Sequence, residues 1–275
     1  MMSQHLKGLA VWLAYLGEAD IPVLKSSARE LERLRADESL LNPRSIANVV
    51  TDDPLMTVKL LRFMQTHKHR NQTYELVDVK QALLMMGLEP FFRDVPASPL
   101  VETMLQGHLD ALLQLLQTVR RAQRSAYYAY DWALRLHDLH AEEVHVSTLL
   151  SHVAEILMWC FSPVQMLDIH RLQHADSSLR SADLQKRVLG FTGLELQRQL
   201  AIDWHLPELL KNLHDPALAN TSRVRNVTLA VNLARHSAEG WDNAALPDDY
   251  REIGSLLRME PERVMALVRT IQTPY

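Results

Sequence analysis

Apolar residues recur at three- and four-residue spacing along most of the chain, the period of an amphipathic helix, and no segment sustains the alternation of a strand. Residues 5–16 (HLKGLAVWLAYL) show the pattern first. Ile21-Pro22-Val23-Leu24 reads as a short extended lead-in to a helix from Ser26 to Ala36, whose inner face carries Leu31 and Leu34. Asn42-Pro43 and Asp53-Pro54 each open a helix. The first residue of each pair caps with its side-chain oxygen, and proline suits the first turn, where its missing amide hydrogen is no loss. Beyond Pro54, the residues Leu55, Val58, Leu61 and Phe63 face a core. A helix from Val77 to Met86 stops at Gly87, read as a left-handed cap.

Pro90, Pro96 and Pro99 break the pattern and mark a connector. It separates an N-terminal helical lobe, residues 1–95, from a C-terminal lobe, residues 96–275, that closes with a helical extension. Helices are expected there at about 101–117, 119–138, 145–160, 163–174, 180–189, 193–203, 207–214, 222–239, 248–257 and 261–271. The expected fold is all-α, a two-lobed multi-helix bundle, without a fixed-period repeat or a low-complexity tract.

Composition supports this. With 47% hydrophobic residues among 275 the chain can bury a sizeable core, and 8 glycines are few for a fold of many tight turns. The net charge of -4 gives no general attraction to nucleic acid, and the basic turn Val119 to Arg124 reads as a solvated helix face. The single Cys160, between Trp159 and Phe161, reads as a small core residue in a reducing compartment. The apolar opening segment lacks a small-residue cleavage site, and no uncharged run approaches the roughly 20 residues of a membrane span. A cytoplasmic protein with no membrane span and no nucleic-acid partner is expected.

The candidate chemistry starts at residues 147–159, STLLSHVAEILMW, where His152 sits within an apolar helical run. A buried imidazole needs a metal or a hydrogen-bond partner. Three groups of segments around it carry a family resemblance. They are Ile21 to Leu24 with Ile46 to Val50, Asp53 to Leu61 and Ala82 to Gly87; Leu149 to Ile156; and Leu189 to Gly193 with Asp203 to Pro207. In order and spacing they resemble the HDOD domain, an output module of bacterial signalling proteins related to HD-type metal phosphohydrolases. The resemblance covers about residues 18–215 and implies an HD-related, two-lobed bundle of helices with no established catalytic activity.

HD phosphohydrolases hold metal through a helix-borne histidine, a histidine-aspartate pair and a further aspartate. Imidazole and carboxylate together hold a divalent ion that activates water against a phosphate ester. Carried over, the first histidine falls near Arg124, before Ser125, the pair at His152-Val153, and a further position that often keeps histidine at Gly193. A cation, a hydrocarbon and a bare backbone thus stand at these positions. The resemblance makes His152 a relic that alone cannot hold a catalytic metal.

Other histidines offer rival sites. His137-Asp138 lies at a helix end, where His137 and His140 meet the negative end of the dipole. His214-Asp215 precedes Pro216, which fits a cap or turn, although the resemblance places His214 near the old pocket. His170 and His174, four apart, give only a weak zinc signal, and His67 and His69 follow a helix end. Met56, Met64, Met85 and Met86 read as core filler, or else as an adaptable groove for a partner helix. No nucleophile elbow, Walker loop or G-x-G-x-x-G motif occurs.

No catalytic, cofactor-binding or metal residue is therefore expected, and no cofactor. A vestigial pocket would comprise Arg124, His152, His214 and Asp215. The function expected is a non-catalytic signalling or regulatory module acting through contacts with protein partners of a bacterial pathway. Two readings stay open beside it: a metal-dependent phosphohydrolase with displaced ligands, and a sensor of a small anionic ligand in the vestigial pocket.

Overall fold

A computed structural model describes residues 6–67, 78–176 and 178–270. Among them the chain is helical, with one isolated bridge between Val23 and Leu100. The helices are α1 (Leu9–Glu18), α2 (Lys25–Ala36), α3 (Pro43–Asp52), α4 (Pro54–Thr66), α5 (Val79–Met86), α6 (Leu88–Asp94), α7 (Val101–Met104), α8 (Leu109–Arg135) and α9 (Ala141–Leu150). There follow α10 (Val153–Phe161), α11 (Pro163–Ala175), α12 (Ser181–Leu189), α13 (Gly193–Asp203), α14 (Glu208–Asn212), α15 (Ser222–His236), α16 (Leu246–Leu257) and α17 (Pro261–Thr270). Residues 5 and 77, expected within the first helix and at the start of the Val77–Met86 helix, and His69 lie outside the described residues.

Two compact units form, each from two stretches of chain: Met1–Val119 with His152–Leu206, and Arg120–Ser151 with Pro207–Tyr275. The proline-bearing connector at 90–99 lies inside the first unit, so the division by packing falls elsewhere than residue 95.

In the first unit α3 packs on α2, α4 and α5, and α10 packs on α4, α11 and α13. The proline starts form as expected: Asn42 accepts from Arg44 and Ser45 in a capping box, and Asp53 accepts from Leu55 and Met56. The extended lead-in is pinned to residues 99–101 by a parallel bridge. Val23 N–H donates to Pro99 O at 2.9 Å, and Val101 N–H to Val23 O at 3.0 Å. The buried Lys59 ammonium donates to the Asp20 carboxylate (2.7 Å), Ile21 O (3.0 Å) and Ser98 O. Its three donors are thereby all used, which is what a buried cation requires.

The second unit gathers Tyr128 and Trp132 of α8, Leu233 of α15, Ile253 of α16 and Val264 of α17 into one core. Arg223 of α15 holds Asp138 through two bonds of 2.8 Å and reaches Glu143 at 3.3 Å. The bidentate geometry fixes the chain at the end of α8.

Several boundaries differ from the sequence pattern. The helices expected at 101–117 and 119–138 are the short α7 and one 27-residue α8. Thr118 leaves no break, because its hydroxyl donates back to Gln114 O within the helix at 3.0 Å. The helix expected at 145–160 is two, α9 and α10, parted at Ser151-His152. Phe63 is half-buried rather than core and stacks on His67 with 4.0 Å between ring centres. Gly87 has positive φ (83°) but ψ of 156°, outside the left-handed helical region.

The segment Ala141–Phe161 is long and apolar enough to cross a membrane by length and composition, although Glu142, Glu143 and Glu155 keep it from being an uncharged run. In this structure 78% of its most apolar window is buried inside the protein, as in a core helix.

Candidate functional site

His152 stands at the junction of α9 and α10, not inside a helix. With φ of -105° and ψ of 3° it occupies the cap position of α10, and its carbonyl accepts Ile156 N–H at 3.0 Å. It is buried, and it is not without a partner. The neighbouring donors are satisfied by an amide rather than a carboxylate. Gln197 of α13, itself buried, accepts Ala154 N–H through Oε1 at 3.0 Å. Val153 is fully buried hydrocarbon.

Gly193 opens α13 beside a capping box in which Thr192 accepts Glu195 N–H at 3.1 Å and the Glu195 carboxylate accepts Thr192 N–H at 2.7 Å. Gly193 N–H is itself taken by Gln185 Oε1 at 2.7 Å. Positions 153 and 193 are therefore committed to packing and capping. Neither offers an atom to a metal.

Arg124 lies in the second unit. Its Nε donates to Tyr128 Oη at 2.8 Å and its Nη1 to Ser237 O at 3.3 Å. The guanidinium carbon sits 4.9 Å from the Trp241 ring centre and 5.7 Å from that of Tyr128. Burial pushes the Tyr128 phenol above its ordinary range, with Arg124 pulling the other way.

The rival histidines resolve individually. His214 and Asp215 are exposed on a turn after α14, where Asp215 accepts Ala217 N–H at 2.9 Å; the structure gives them a turn role. His137 adopts a left-handed backbone (φ 55°) at the end of α8, and Asp138 is bound by Arg223. His170 and His174 are exposed with ring centres 6.4 Å apart. His67 closes its own helix through Nδ1, 2.9 Å from Phe63 O. Cys160 is buried, and desolvation raises its thiol well above the ordinary range, unlike a nucleophile. Of the four methionines only Met56 is core; Met85 is exposed beside Leu84.

Among the described residues no three His, Cys, Asp or Glu side chains group so as to hold a metal ion. The residues at the HD positions do not fit a metal. Sequence reasoning missed Gln197, Trp241 and Arg269. A large aromatic in the polar stretch Glu239 to Asn243 was the available signal for Trp241.

Fold and site together define an all-helical, HD-related module in which packing and capping residues occupy the carried-over ligand positions Arg124, Val153 and Gly193. The HDOD domain matches residues 21–215, and the chain belongs to the HDOD domain family. Among curated proteins none matches it. Solved structures of similar fold include the MmoQ response regulator of Methylococcus capsulatus str. Bath, with TM-score 0.69 and 17% identity over 92% of this chain and 99% of that one. A virulence factor of Campylobacter jejuni subsp. jejuni aligns with TM-score 0.63 and 16% identity over 96% of this chain and 92% of its own.

Proposed function

We propose that this HDOD protein is a non-catalytic regulatory module that acts in the cytoplasm through contacts with protein partners of a signalling pathway. The observation that carries the reading is the commitment of the carried-over HD ligand positions. Val153 is core, Gly193 contributes only a capped amide, and Arg124 is a cation held by Tyr128, Ser237 and Trp241. Water activation on a phosphate ester needs a positioned ion with open coordination, and no replacement cluster stands among the described residues. The likeness to a protein described as a response regulator agrees with a signalling role.

Elemental analysis after loading with manganese, iron and zinc tests the reading. The expected result is no stoichiometric transition metal. One tightly held ion per chain, lost in His152→Ala, would overturn it.

A further inference from the structure

Two arginines of the second unit converge on one indole. Arg124 of α8 and Arg269 of α17 place their guanidinium carbons 4.9 and 5.5 Å from the Trp241 ring centre. Neither has a carboxylate within ion-pair distance among the described residues, whereas Arg135 and Arg223 of the same unit do. Arg124 spends Nε on a phenol and one Nη1 hydrogen on a carbonyl, both neutral, and Nη2 has no further partner among the described residues. Arg269 is exposed and its only described contact is the indole face. Two like charges gathered at one ring repel each other, and the cation–π attraction offsets that only weakly at exposed positions. A doubly charged oxyanion would relieve the repulsion and accept from the planar donor forks that guanidinium groups present.

We propose that Arg124, Trp241 and Arg269 form a binding site for a phosphate group, free or carried as a monoester. At neutral pH such a group carries a charge of about -1.5 to -2, which matches the two cations. Trp241 spaces the guanidinium groups, and the Tyr128 and Ser237 bonds fix Arg124 in place before the ligand arrives. The site shares Arg124 with the carried-over HD positions but makes no use of His152, Val153 or Gly193, and it needs only that Arg124 be held as a cation by Tyr128 and Ser237.

Arg269→Gln is the decisive variant, because among the described residues Arg269 touches only the indole face and lies outside the core. Arg124→Gln would also remove the Tyr128 and Ser237 bonds. The full chain is titrated with inorganic phosphate and, separately, with AMP, each against sodium chloride of equal ionic strength, reading the unfolding temperature and the indole fluorescence assigned through Trp241→Phe. A saturable response to either probe is expected, weakened about tenfold by Arg269→Gln, the loss of one charged hydrogen-bonding group. Arg135→Gln, whose guanidinium pairs with Asp131, should leave it unchanged. A response to AMP alone or to both assigns the phosphate of an ester, and a response to inorganic phosphate alone assigns the free ion. No saturable response to either probe, or one that Arg269→Gln leaves unaltered, overturns the site.

Discussion

Asp53 shows how much one capping residue can hold when it is buried. Its carboxylate accepts Leu55 and Met56 N–H at the start of α4 and also Leu24 N–H at 3.1 Å, twenty-nine residues away in sequence. Burial pushes its carboxyl above the usual range, while those donors and Ser27 pull it down. An exposed cap is worth about 1 kcal/mol. Asp53→Ala strands buried amides as well, so urea unfolding should register a loss of about 3 kcal/mol. A loss no larger than that of an exposed cap would contradict the bridging role. The Asp-Pro pair announced the cap in the sequence; the bond to Leu24 depends on the fold and had no local sign.

His145 gives a pH signature at the same scale. The residue is only half-buried, but its ring lies against Tyr127 and Tyr130, and desolvation lowers it from 6.5 to about 4. A histidine depressed in the folded state binds its proton more readily when unfolded. Its contribution to stability is whole above pH 6.5 and is lost as pH falls from there toward 4. Urea midpoints at pH 7.5 and 5 should therefore differ less in His145→Gln than in the wild type. Equal drops in both would show that the imidazole is not desolvated.

Helix ends account for most of what the sequence hid. Periodicity located the helices because burial of one face follows the 3.6-residue repeat. Among the described residues three ends use non-glycine residues at positive φ: His137, His205 and Arg258, with φ of 55°, 48° and 55°. Each is followed by an amide that reaches back to close the helix, Asp138 to Ala133 O, Leu206 to Ala201 O and Met259 to Gly254 O. Such closures ordinarily announce themselves with glycine. Here the same local backbone bonds close over a non-glycine residue. Likewise the break at Ser151-His152 has neither glycine nor proline; Ser151 Oγ donates to Thr148 O at 2.7 Å and ends α9. Relieving the strain with Arg258→Gly should stabilise the protein by about 1 kcal/mol. Gly254→Ala should do the reverse, because its methyl would come 2.5 Å from Met259 O, an overpacking that costs about 2 kcal/mol. Thermal melts of the two variants moving in the same direction would refute this account of the α16 end.

At the scale of the whole molecule, the HDOD fold was legible because several short motifs lie in one order along residues 21–215. The state of its old site was legible where a residue type alone decides. Val153 and Gly193 cannot ligate wherever they sit. The surroundings of Arg124 were not legible, since Trp241 meets it from more than a hundred residues later and Arg269 reaches the same ring from further still. Restoring one carboxylate should not restore chemistry. Val153→Asp places a charge in a fully buried position, so it should lower the unfolding temperature and give no activity. Turnover of the wild-type chain itself on cyclic dinucleotides and nucleotides, with manganese present, separates a regulatory module from a hydrolase. Hydrolysis should be indistinguishable from that of the metal-containing buffer alone. Robust metal-dependent turnover that disappears in His152→Ala would contradict the regulatory reading.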